Sequence, residues 1–334
     1  MKKYFVIDII ACVALAACTK YEVRPVSTAQ EITFKTISTK AAEAYATTNT
    51  FRSWAYLHND AYAQGITNQL YLGGTDGLEI SYVTASSQWK NATSTYYWPK
   101  NGGKLSFYSY GLNTPSNSLA TGTITCSFEN GIQVTGYDIV DNHDVDFLVA
   151  DVAKDQTENT DPETHFHVGV PTLFRHKLSN VAFTIKAAEN YANKTFTLKS
   201  ITLKGVTKTA DYIQAPFATE AWNGHTTTDI AFCDTDVVFS NSVVTPTTNQ
   251  SYYIPQTMLV DQKVVIVYEI ETDNGTSNHA VETVTVEKKL NELFPNSWEM
   301  GKKYSCAITV SLDEILWDPA VESWVDGNST NQTI

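Results

Sequence analysis

Cysteine is scarce and unevenly placed: five occur in 334 residues, and two of them, Cys12 and Cys18, fall near the N-terminus. The other three, Cys126, Cys233 and Cys306, match no zinc-site spacing and are too few for a dense disulfide framework. An odd number leaves at least one thiol free, and the sequence leaves any pairing open. Basic residues are also in short supply, with 23 Lys and Arg against 36 Asp and Glu, a formal net charge of −13. Such a surface repels a DNA or RNA backbone, so no nucleic-acid partner is expected. After the N-terminal segment no stretch reaches the roughly 18 consecutive apolar residues of a membrane helix, so residues 19–334 are expected to be soluble and outside the inner membrane. Also missing are Gly-x-Ser-x-Gly, His-Glu-x-x-His, Cys-x-x-Cys and a phosphate-cradling glycine loop. Neither an enzymatic activity nor a cofactor is expected, although a glycosidase-type carboxylate pair would leave no trace in sequence spacing.

What is present begins with an export signal. Lys2 and Lys3 form a positive n-region, Tyr4 to Ala14 an apolar run, and Leu15-Ala16-Ala17 a small-residue cleavage site ending at Cys18. This is the order of a lipobox, in which small side chains precede the cut and the thiol carries diacylglycerol. Asp8 interrupts the apolar run, where a carboxylate costs roughly 2.5 kcal/mol or more at the centre of a membrane helix. Residues 1–17 are read as a lipoprotein signal peptide and Cys18 as the lipidation site. Several acyl chains on Cys18 meet the two-signal requirement for stable anchoring, so the mature protein is expected to be tethered to a membrane rather than to span it.

The remainder reads as short strands and turns, with a length that suggests two domains of about 150 residues. After a tether, Glu31 to Ile37 alternates apolar and polar residues as a first strand, and the polar, small-residue stretch from Ser38 to Thr50 is open to a protease. Further strands are expected at Phe51 to Leu57, Leu78 to Val83 and Ser94 to Trp98, the last forming a hairpin with Leu105 to Tyr110 through Asn101-Gly102. Others are expected at Thr123 to Phe128, Ile132 to Val134 and Asp146 to Ala150. Ala153 to Thr164 is acidic and poor in apolar side chains, which places a loop there and a domain boundary at 164/165. Beyond it, Val181, Phe183 and Ile185 share one face of a half-buried strand, and a change of phase between Leu198 and Ile201 predicts a bulge. Val264 to Ile270 turns at Asp273-Asn274-Gly275 and returns through Val281 to Val286. Lys288 to Phe294 is a short helical candidate ended by Pro295. Tyr304 to Leu312 is a final alternating strand. Regularly spaced short strands of this kind argue for antiparallel sandwiches.

Three clusters invite a binding role. His165 and His167 share a strand face, with His176 as a third imidazole, but no ligand at fixed spacing completes a metal site. Asp141-Asn142-His143-Asp144-Val145-Asp146 is acidic but lacks the glycine and bidentate Glu of an EF-hand loop. A solvated turn is the simpler reading, and no metal is expected. Tyr96, Tyr97, Trp98, Tyr108 and Tyr110 cluster as a sugar-binding platform, but strand alternation commits at least half of them to the core.

In several places the sequence resembles the fimbrillin family, the type V pilins of Bacteroidales. The landmarks are the lipobox at Cys18, Trp98-Pro99 leading into Lys104 to Tyr108, Asp146 to Ala150, and Leu173 to Val181. They continue with Tyr253-Ile254-Pro255-Gln256, Trp298 to Tyr304, and Ile315-Leu316-Trp317 through Val321 to Trp324. The resemblance implies an all-β protein of two tandem Greek-key, transthyretin-like β-sandwiches, residues 41–164 and 165–334, behind a tether and removable first strand at 18–40. It also implies a lipid-anchored precursor at the cell outer membrane, trimmed by an Arg- or Lys-directed protease and joined to other fimbrial subunits by strand insertion. Lys40-Ala41 fits the cut by position. The family pattern often has Arg there, which makes Arg24 or Arg52 the alternatives, although a cut at Arg24 leaves the strand in place. Loss of that strand would uncover the core beneath Ile32 and Phe34. The donor candidate is Ala320 to Ile334, with Val321, Trp324, Val325 and Ile334 as apolar anchors. Asp326-Gly327-Asn328-Ser329 interrupts it, which leaves room for an adhesive tip or anchor subunit. A standalone surface lipoprotein binding a host glycan or protein ligand is the other class, with exposed aromatics and no cleavage as its signature.

Overall fold

The computed structural model describes residues 29–37, 45–100, 102–114, 117–158, 169–275 and 277–324. Cys18, Lys40, Ala41, His165, His167, Val325 and Ile334 lie outside them. Among the described residues the regular secondary structure is almost all strand, and its one helix is the single turn Leu290–Leu293. That turn falls within the helical candidate and ends just before Pro295.

Two large sheets and a smaller one organise the molecule. The first has Phe51–His58 and Lys104–Gly111 at its centre. On one side follow Leu78–Val83, Gln88–Lys90, Phe34–Thr36 and Val170–Thr172, and on the other Leu148–Ala150 and Phe174–His176. The second runs Ala280–Lys289, Lys263–Thr272, Lys194–Ile213, Gly131–Asp138 and Thr123–Ser127. The third, of four strands, runs Tyr252–Tyr253, Ser179–Ala187, Lys302–Val310 and Ile315–Ser323.

The central strands of the first sheet are buried on both faces, which explains their sequence. Phe51, Leu105 and Phe107 point into one core with Ile32, Phe34, Ile80, Trp89 and Phe174. Trp54, Tyr56, Tyr108 and Tyr110 point the other way, into the larger core shared with the second and third sheets. Serines at Ser53, Ser106 and Ser109 fit between because each is bonded: Ser109 Oγ donates to Ser53 Oγ at 2.9 Å, and Ser106 Oγ lies 2.8 Å from His58 Nε2. In the third sheet the expected alternation appears, with Val181, Phe183 and Ile185 buried and their neighbours half-exposed. The expected bulge is also present, as a register shift between Leu198 and Ser200 against Lys263–Thr272. The expected hairpin runs from Lys263↔Lys289 to Thr272↔Ala280.

Two expectations need correction. Ser94 to Trp98 is not a hairpin strand: Asn91 Oδ1 accepts from the Thr93 and Ser94 N–H groups and turns the chain, and Trp98 N–H donates to Gln30 instead. The Trp98 ring still meets Phe107, edge-on at 5.8 Å. Of the stretch expected as a loop from Ala153, Ala153–Gln156 is instead a strand that pairs with Lys104–Gly111. Its polar groups are satisfied in place, with the Asp155 carboxylate accepting from Tyr62 N–H at 3.0 Å. Strand pairings also run between residues before and after position 164. Val170–Thr172 and Phe174–His176 join the first sheet, while Gly131–Asp138 joins the second through Lys194–Ile213. That strand of 20 residues spans roughly 60 Å and pairs with different partners along its length. Its apolar phase is broken by register shifts, so from sequence only its first half reads as strand.

Candidate functional site

Residues 30–37 thread between two neighbours and are bonded to both. On one side Ile32 N–H donates to the Tyr96 carbonyl at 2.7 Å and Trp98 N–H donates to the Gln30 carbonyl at 3.1 Å. On the other, Val170 N–H donates to the Thr33 carbonyl at 2.7 Å and Ile37 N–H donates to the Thr172 carbonyl at 2.9 Å. Phe34–Thr36 runs parallel to Val170–Thr172 and antiparallel to Gln88–Lys90, so an N-terminal strand is internal to its sheet. Ile32 and Phe34 are each 3% exposed, and the Phe34 ring meets Phe51 and Phe107 edge-on at 5.5 and 5.6 Å. Uncovering each side chain costs roughly 1.5–3 kcal/mol. Losing the strand also strips partners from the Trp98 and Val170 N–H groups and the Tyr96 and Thr172 carbonyls. Buried backbone groups are costly to leave in that state. The Lys90–Glu31 ion pair at 3.1 Å adds little beside these terms.

Gly169 lets the two strands approach. Its φ is +107°, and a Cβ there would lie 2.8 Å from the Phe34 carbonyl carbon. Gly169→Ala is expected to destabilise the full chain by at least about 1–2 kcal/mol, the backbone strain alone, and to speed cleavage after Lys40 by a Lys-specific protease. Unchanged cleavage kinetics would show that the strand does not depend on this close approach.

The C-terminal strand is held very differently. Ile315–Ser323 lies at the edge of the four-stranded sheet, pairing with Lys302–Val310 from Val310↔Ile315 to Lys302↔Ser323. Leu316 and Val321 are more than half exposed. Pro319, opposite Cys306, sits mid-strand, a position tolerated because an edge strand leaves alternate N–H groups unused. Of the four expected anchors, Val321 is therefore presented to solvent, and Trp324 is buried against its own chain. Val325 and Ile334 lie outside the described residues, as do Cys18, Lys40 and Ala41. Nothing in the local pattern distinguishes Trp324 from the exposed residues before it, because its burial depends on His176 and Tyr252, which are distant in sequence.

The other clusters resolve as follows. His176 is buried, with Nδ1 2.9 Å from an Asp146 carboxylate oxygen. The acidic turn is fixed by Asn142, whose Nδ2 donates to the Asp138 and Thr121 carbonyls at 2.7 Å. Among the described residues no group of three His, Cys, Asp or Glu is arranged to hold a metal. Trp98, Tyr108 and Tyr110 are core residues, whereas Tyr96 and Tyr97 are exposed. Leu70 and Tyr71 extend that exposed patch, with Tyr71 OH donating to the Tyr97 carbonyl at 2.7 Å. The sequence offers no signal for this, since Gln69–Leu72 reads like any short apolar run.

Cys126, Cys233 and Cys306 are all free. Burial pushes the Cys126 thiol far up and the Cys306 thiol from 9.0 to about 11. With the folded value raised, the stabilisation of the protonated Cys306 is complete below pH 9 and is lost as pH rises through about 11. Cys306 is expected to stay unlabelled by iodoacetamide at pH 8 in the native chain and to react once the chain is unfolded, as read by peptide mapping. Native labelling at the rate of a free thiol would contradict this.

Known proteins of similar sequence and structure place this arrangement in context. A fimbrial protein from Bacteroides vulgatus ATCC 8482 superposes with a TM-score of 0.65 at 15% identity, covering 88% of this chain and 99% of that one. A candidate cell adhesion protein from Bacteroides uniformis ATCC 8492 gives a TM-score of 0.53 at 16% identity, covering 88% and 98%. At such identities the likeness is one of fold. No curated protein sequence matches. The sequence model of the fimbrillin-like family matches residues 59–324, most of the chain, and the protein is a member of that family.

Proposed function

We propose that this protein is a structural subunit of a cell-surface fimbria, exported as a lipoprotein through Cys18, trimmed between Lys40 and Ala41, and polymerised by strand insertion between subunits. The observation that carries this reading is the asymmetry between the chain's two ends. Residues 30–37 are internal to a sheet and fill a core, yet they are followed immediately by a basic cleavage candidate. Ile315–Ser323 is an exposed edge strand whose ladder is one-sided. Removing the first leaves a groove with unpaired backbone on both walls, and an extended segment of a neighbour restores pairing and burial by β-augmentation. The lipid on Cys18 holds the precursor at the outer membrane until the cut separates it from the assembling body.

A second reading, an adhesive tip or anchor subunit that takes a host glycan or protein ligand, draws support from the exposed patch of Leu70, Tyr71, Tyr96 and Tyr97. N-terminal sequencing of surface-released protein separates the alternatives. A fibre subunit is expected to begin at Ala41 and to run as a ladder of oligomers on gels without boiling. An intact, acylated monomer would overturn the polymerising reading.

A further inference from the structure

Along Ile315–Ser323 only Ile315 and Trp317 are even half-buried, and every other side chain faces solvent. The next residue breaks the pattern: Trp324 is 3% exposed. Its indole lies 3.8 Å from the His176 ring at an interplanar angle of 11°, and 5.4 Å from the Tyr252 ring at 19°. The backbone N–H of Trp324 donates to the Gly301 carbonyl at 2.9 Å.

The seat belongs to the body of the subunit, not to the arm. His176 is fixed by the pairing of Phe174–His176 with Leu148–Ala150 and by the Asp146 carboxylate 2.9 Å from its Nδ1. Tyr252 is fixed by its pairing with Asn180 in the strand Ser179–Ala187. The arm is therefore held by a backbone ladder open to water along one edge, by the half-buried Ile315 and Trp317 against the core, and by one fully buried indole, Trp324. Water competes for the groups of an exposed ladder, so each of its bonds contributes little net. The indole's burial has no such competitor.

We propose that Trp324 is the latch that keeps the C-terminal arm, residues 315–324, on its own subunit, and that its release from the His176–Tyr252 seat sets how fast the arm reaches a neighbour. The second half rests on the strand-insertion reading above; the first half stands without it.

Two measurements on the full chain decide it. Hydrogen exchange is followed in residues 315–323 for the wild type, Trp324→Ala, Tyr252→Ala and Trp324→Phe. Both alanine variants are expected to exchange at least about tenfold faster there. Trp324→Phe, which keeps an aromatic ring in the seat, is expected to fall between, and Ser179–Ala187 to keep wild-type protection in all of them. Oligomer ladders are then timed after trimming at Lys40. Trp324→Ala is expected to form them several-fold faster, and a Lys302→Cys/Ser323→Cys pair, opposite one another in the register, to block them when oxidised and release them when reduced. Wild-type protection of residues 315–323 in both alanine variants would overturn the latch. A loosened arm with no gain in ladder rate would overturn its control of assembly. Trimmed wild-type protein that stays monomeric would overturn strand insertion instead, while the exchange data still decide the latch.

Discussion

A chain trimmed after Lys40 is expected to be less stable by roughly 3–6 kcal/mol than the full chain before it assembles, and to bind a synthetic peptide of residues 29–37. The magnitude follows from two buried side chains, Ile32 and Phe34, at roughly 1.5–3 kcal/mol each. The unpaired groups on Tyr96, Trp98, Val170 and Thr172 add to it. Denaturant midpoints of trimmed and untrimmed protein at low concentration measure the difference, and titration of the peptide should restore most of it. Equal midpoints would mean that residues 29–37 lie on the surface of a core that is already closed, and the case for a missing strand would fall with them.

The second large effect isolates one side chain. Phe34→Ala is expected to cost about 3–5 kcal/mol, the range for a buried aromatic ring truncated in a packed core, because its ring contacts both Phe51 and Phe107. Leu316→Ala, on the exposed C-terminal strand, should stay within about 0.5 kcal/mol of wild type. The contrast matters more than either value. It states that the N-terminal strand is structural cargo bound tightly to the fold, and that the C-terminal strand rests on its surface. Urea unfolding of the two variants side by side reads it directly, and comparable losses would remove the asymmetry on which the functional reading stands.

How much of this was legible beforehand follows from where each signal is stored. The alternation of Val181, Phe183 and Ile185 is local, and so is the Lys263–Thr272 hairpin; both could be read because one face of each meets the core. Phe34 could be assigned to a buried face for the same reason. Its neighbours could not be named, because the parallel pairing of Phe34–Thr36 with Val170–Thr172 joins segments far apart in the chain and leaves no periodic mark on either. The aromatic run from Leu105 to Tyr110 is legible as a strand but not as one covered on both sides. Buried on both faces, it loses the two-residue rhythm of a half-exposed strand, and its second core shows only once distant residues such as Trp54 and Phe51 are placed beside it. Trp324 carries no local signature either, since it follows a stretch whose polar residues face water and its burial is set by His176 and Tyr252. Tyr96 and Tyr97 lie within the aromatic cluster the sequence offers, but Tyr71 beside them escapes for the complementary reason that nothing in a sequence marks which aromatic residues the fold leaves uncovered.

The claim that a neighbour's strand completes this subunit is tested most directly by the backbone amides of Trp98 and Val170, which the first strand occupies through the Gln30 and Thr33 carbonyls. Their hydrogen exchange is measured in three states: full chain, trimmed monomer and assembled oligomer. Protection in the first, loss of it in the second and recovery in the third is the predicted sequence. Protection that survives trimming, or amides that stay exposed in the oligomer, would contradict it.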